Sequence, residues 1–221
     1  MADTGYKTLK ELDGKYMCSD TSEAFLYKEI KNKLIENGFG LDLSSLSKFL
    51  DDNPFFMSHC NKIKKALLEH NSALVIIDTS QLLWEIHKYF PLIYALNSPK
   101  GESIFKISLK HLLDSLLDKD ISAEMPSRIN KDLVMIGNIF SGDNRISSMS
   151  SSLEGIIEPL IFSRKVVFTA HTLQIIPSKI KEDTMYKLRT FYSPAFEQTF
   201  QFKVTPVIIQ TCESKKSLWE D

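Results

Sequence analysis

The sequence predicts an α/β (or α+β) fold, with a helical N-terminal section followed by a mostly parallel sheet with flanking helices. Three observations carry that expectation. Residues 73–77, "ALVII", are an unbroken apolar run of strand length with no polar side to turn to water, as in a strand buried on both faces. The chain ahead of this run recurs at helical spacing, and so does the chain directly behind it. Two more β-branched runs follow late in the chain.

Taken in order, the first helix lies in "DTSEAFLYKEIKNKLIENGFG". Asp20 and Glu23 resemble a capping box, Leu26, Ile30 and Leu34 recur every four residues, and Asn37-Gly38 offers a stop. A short helix is expected in "LSSLSKFL", and another from Pro54 to about His70 with Phe56, Ile63 and Leu67 inward. Residues 73–78 are expected as a central strand, followed by a helix from about Ser80 to Leu96 that Pro91 should kink or end early. "SIFKISLKHLLDSLLDKD" reads as one amphipathic helix, whereas "RINKDLVMIGNIF" fits helix or strand. The serine-rich stretch 141–152 buries little and is expected as a mobile loop, cut first by protease at Arg145. A helix in "LEGIIEPLIF", a strand in "KVVFTAHTLQII" and a last strand in "FQFKVTPVIIQT", broken or edged by Pro206, complete the chain. The change of character divides it into a mainly helical section, 1–72, and an α/β section, 73–221.

Composition excludes several classes of function. The 221 residues are 43% hydrophobic and 25% charged, which is globular usage. Lys+Arg 27 against Asp+Glu 28 gives a net charge of -1, so binding to nucleic acid needs a local patch rather than a global field. No apolar run approaches the roughly 20 residues of a membrane span, and "MADTGYKTLKELDGKYMC" lacks the core of a signal peptide. Cys18, Cys60 and Cys212 form no C-x-x-C pair. A soluble, intracellular, cytoplasmic protein is expected.

Asp78 has two readings. An acid just beyond a buried strand stands where α/β proteins place metal or phosphate chemistry, and aspartate is also a good helix N-cap. No G-x-x-x-x-G-K-[ST] occurs, which argues against a phosphate-binding loop. "VIIDTSQLL" is similar to the opening of the PIN ribonuclease family, and "LEGIIEPLIFSRKVVFTAHT" resembles that family's later acid, helix and strand ending in Thr. The resemblance implies a metal-dependent nuclease holding Mg²⁺ or Mn²⁺ with Asp78 and Glu154, and with Thr169 at a strand tip. Its middle acid would be Glu102, Asp114 or Asp118, of which Asp114 stands in the candidate set. His171 falls near a further aspartate of the family, and imidazole is a poorer ligand for a hard cation.

The best basic patch is Lys179, Lys181, Tyr186, Lys187 and Arg189, which sets an aromatic ring among lysines. Glu182 and Asp183 interrupt it, as they would in a polar connection between strands. Without a complete catalytic set, the expected function is non-enzymatic and needs no cofactor. It acts through a protein partner or nucleic acid, with the PIN-like ribonuclease as the alternative.

Overall fold

A computed structural model describes residues 7–98, 102–172 and 177–210. Four helices come first: α1 (Leu9–Tyr16), α2 (Ser22–Leu34), α3 (Gly40–Asp52) and α4 (Phe56–His70). Thr8 and Glu11 cap α1 reciprocally. Thr21, one residue beyond the expected Asp20, caps α2 by accepting from Ala24 N. Asn37-Gly38 breaks the helix as expected, and a separate helix follows directly. Gly38 takes φ 85 inside a π turn, Ile35–Phe39, and the chain re-enters helix as the 13-residue α3. "LSSLSKFL" is thus the body of a longer helix, with Leu43, Leu46 and Leu50 buried.

The rest alternates between strand and helix: β1 (Ser72–Ile77), α5 (Ser80–Leu96), β2 (Ile104–Ser108), α6 (Leu109–Leu117), α7 (Lys119–Ile129), β3 (Leu133–Gly137), α8 (Arg145–Ser148), α9 (Ser150–Ser163), β4 (Lys165–His171), α10 (Pro177–Phe191), α11 (Pro194–Lys203) and β5 (Thr205–Ile209). The sheet is parallel throughout, in the order β2-β3-β4-β1-β5. β1 is therefore interior, with Val75 opposite Thr169 on one side and Val207 on the other, and β5 with Pro206 is an edge.

Three elements differ from expectation. "SIFKISLKHLLDSLLDKD" is not one helix: Ile104–Ser108 alternates across the sheet, and Ser108 accepts from His111 N to start α6. The amphipathic period belongs only to Leu109 onward. α5 runs through Pro91 to Leu96 because Tyr89 to Leu96 are all buried, and that packing offsets the roughly 3 kcal/mol cost of an interior proline. The serine-rich stretch is largely helical, in α8 and the start of α9. Ile146 within it and Leu153 directly after it are both fully buried in the core that α6 to α11 share with the sheet.

Alternation along the strands sorts two cores. Ala73, Val75 and Ile77 pack with α1 to α5, and Leu74 and Ile76 pack with α6 to α11. The N-terminal helices thus share a core with the sheet. The crossover from β1 passes over one face through α5, whereas that from β4 passes over the other through α10 and α11. Adjacent strands whose connections leave on opposite faces open a crevice at their carboxyl ends, where open α/β sheets take ligands. No helix among the described residues is long and apolar enough to cross a membrane.

Candidate nucleic-acid interface at the carboxyl end of the sheet

The carboxyl ends of β1, β3 and β4 are tied together by backbone. Thr172 N donates to Ile77 O at 2.9 Å, and Ile139 N donates to Thr169 O at 2.9 Å. Thr169 is fully buried, and its hydroxyl accepts from Asn138 N at 3.0 Å, where the chain turns with φ 56. Thr169 therefore fixes the turn after β3 and does not face a substrate. Beside it, a Cβ on Gly137 would lie 3.0 Å from the His87 ring, so the space between β3 and α5 is filled. Burial holds the His87 pKa below the ordinary histidine range, with Lys106 adding to the effect.

The end of β1 is equally closed. Ile77 is followed by Asp78 and Thr79, and helix α5 begins at Ser80. Thr79, not Asp78, is the N-cap, accepting from Leu82 N at 3.3 Å. The reason is geometric: Thr79 is the residue still in extended conformation, at φ -129 and ψ 141, when the helix starts. Asp78 stands one position earlier.

The remaining acids are taken up in the scaffold. Glu154 accepts from Ser193 N at 2.6 Å and Ser193 Oγ at 2.7 Å, which joins α9 to the cap of α11. Asp114 receives Arg145 Nη1 at 2.6 Å, and the same guanidinium is chelated by Asp143. Arg145 holds the Asp143 carboxyl down to about 2. Among the described residues, no three of His, Cys, Asp or Glu are placed to share a metal ion, so Asp78, Asp114 and Glu154 do not assemble as the PIN resemblance implies.

The open part of the crevice lies between the end of β4 and α10. It is a cleft of about 770 Å³ lined by His171, Thr172, Lys179, Asp183, Tyr186 and Lys187, with Glu182 and Ile180 beside them. The helical spacing of 179, 183, 186 and 187 brings these residues to one side of α10, with the buried Ile180 at its border, while Leu188 anchors the other side. Tyr186 is 68% exposed, and Lys187 Nζ lies 2.8 Å from Asp183 and 5.9 Å from the Phe140 ring centre. Three of the five residues in the basic patch thus line one cleft. Lys181 does not line it, and Arg189 is bound to Glu197 at 2.9 Å. Sequence reading missed that His171 and Thr172 form the opposite wall. The signal available for them was their place just past a buried strand.

No family model matches the sequence, and no curated protein matches it. Solved structures do. The chain is similar to a DNA replication initiation factor, with TM-score 0.50 and 14% identity over 72% of this chain and 47% of that one. AMPPCP-bound DnaA from Aquifex aeolicus aligns with TM-score 0.47 and 10% identity, over 72% and 50% of the two chains. The replication initiator DnaA bound to AMPPCP and single-stranded DNA aligns with TM-score 0.45 and 12% identity, over 67% and 45%. The chain spans about half the length of each. At such identities the first likeness is one of fold alone.

Proposed function

We propose that the protein acts without catalysis, by holding single-stranded nucleic acid in the cleft between β4 and α10. The observation that carries this reading is the exposed Tyr186 ring in one cleft with Lys179 and Lys187, at the end of the sheet where such folds take ligands. A base stacks on the ring, and the two ammonium groups meet phosphates on either side. Asp183 pairs with Lys187 in the free protein, so binding exchanges a carboxylate for a phosphate and is correspondingly modest.

The two residues between β1 and α5 support a role in binding rather than nucleotide hydrolysis. A phosphate-binding loop wraps several glycine-rich backbone amides around its ligand, and Asp78-Thr79 is too short to do so. The likeness of fold to a DNA replication initiation factor is compatible with a nucleic-acid role here.

Fluorescence anisotropy with labelled oligo(dT) tests the proposal. With two phosphate contacts, the slope of log K against log salt is expected near roughly -1.4. Tyr186→Ala should weaken binding by about 1–3 kcal/mol. Binding that is absent, or unchanged in Tyr186→Ala, refutes the reading. Millimolar ATP should leave the melting temperature where it is, whereas a site occupied a hundredfold above its Kd would add about 2.7 kcal/mol.

A further inference from the structure

The two edges of the sheet are unlike. β5 carries Pro206, and a proline is one of the devices by which edges resist an added strand. β2 has none, and all five of its residues are partly exposed. Leu133 N donates to Ser103 O at 3.1 Å, and Ile104 stands opposite Leu133. That register turns the peptide groups of Phe105 and Ile107 toward β3 and those of Ile104 and Lys106 off the sheet.

Beside this edge runs a groove of about 560 Å³. Ile30, Leu34 and Phe39, from α2 and the π turn, form its apolar wall, and residues 102–106 of the β2 side form the other. Its charge is unbalanced. Glu102 is matched by Lys165 at 2.6 Å and Lys33 by Glu29 at 2.8 Å, but Lys106 and Lys88 share the single carboxylate of Asp42, at 3.6 and 3.3 Å, and Lys131 adds a further cation. Lys106 could guard the edge against strand addition. Its ammonium instead lies 4.8 Å from the Phe39 ring centre, over the face of the sheet. Glu102 Oε2 is buried without a hydrogen-bond partner among the described residues.

We propose that the β2 edge docks an extended acidic segment of a partner protein as a sixth strand. Backbone groups of Ile104 and Lys106 pair with the incoming strand, and alternate side chains enter the groove against Phe39 and Leu34, with carboxylates meeting Lys106 and Lys131. This surface is distinct from the α10 cleft, so either proposal can fail alone.

The probes are two fluorescein-labelled octapeptides, (Glu-Val)₄ and (Lys-Val)₄, titrated against the full chain by anisotropy, with amide hydrogen exchange read in parallel. (Glu-Val)₄ should bind and slow exchange at Ile104 and Lys106, and (Lys-Val)₄ should not bind. Lys131→Glu should raise the Kd at least about tenfold, since each decade needs only 1.4 kcal/mol. Lys106→Pro should abolish binding while sparing the ladder to β3, because that amide points outward. Should Lys106→Pro fail to fold, Lys131→Glu and the exchange pattern decide. No binding by (Glu-Val)₄, equal binding of both peptides, or protection away from β2 overturns the proposal.

Discussion

Thr79 and Asp78 show how much depends on one position. Thr79 Oγ1 satisfies the Leu82 amide, one of four amides a helix start leaves without partners, and Asp78 stands one position ahead of that cap. Thr79→Ala is therefore expected to lower stability by about 1 kcal/mol, and Thr79→Ser to restore most of it. Urea unfolding of both variants checks this, and a midpoint unmoved by Thr79→Ala would contradict it. The same logic applies to Glu154. A carboxylate expected at a metal site accepts two hydrogen bonds from Ser193 and so anchors the start of α11.

At the scale of elements, the serine-rich stretch is held by a few contacts against a composition that favours disorder. Ile146 is its buried anchor, and Arg145 is clamped between Asp143 and Asp114. Trypsin should therefore cut slowly after Arg145 in the native protein and faster in Asp143→Asn, with peptide mapping over time as the readout. Acid should act in the same direction. A carboxyl lowered to about 2 contributes stability that is present above the ordinary aspartate range near 3.9 and is lost as pH falls through about 2. The Asp143 carboxyl resonance should accordingly titrate near 2. A midpoint near 4 would mean that the pair does not form in solution.

For the whole molecule, β1 is the element on which both cores depend. Val75 is fully buried between β4 and β5, against the N-terminal helices. An unpaired charge there costs several kcal/mol against a net stability of roughly 5–15. Val75→Asp should yield insoluble protein or a circular dichroism spectrum without a cooperative melt. A soluble variant with the parent's melting temperature would show that β1 is not the interior strand. The N-terminal helices should be needed for solubility too, since α4 packs on β1 and its Ile63 and Leu67 share the core of Val75 and Ile77.

Local pattern alone determined the interior strand near 73–78, the helical period from Ser80 to Leu96 and a mostly parallel sheet with flanking helices, because each rests on spacing that burial then uses, and Pro206 marked its strand as broken or at an edge. The same patterns did not resolve "SIFKIS", where five residues alternate too briefly to compete with the strong helical period behind them. Nor could they show that 145–152 is helical, since its serines are polar and Ile146 is buried in a core built from distant residues, whereas the helix expected over 153–162 is the body of α9. The patch on α10 was legible as composition. Its division was not: strand order sets β4 beside α10 and turns Lys179, Tyr186 and Lys187 toward His171, while Arg189 meets Glu197 instead. Which side chains share a cleft depends on the path of the chain between strands, and only the tertiary structure decides that.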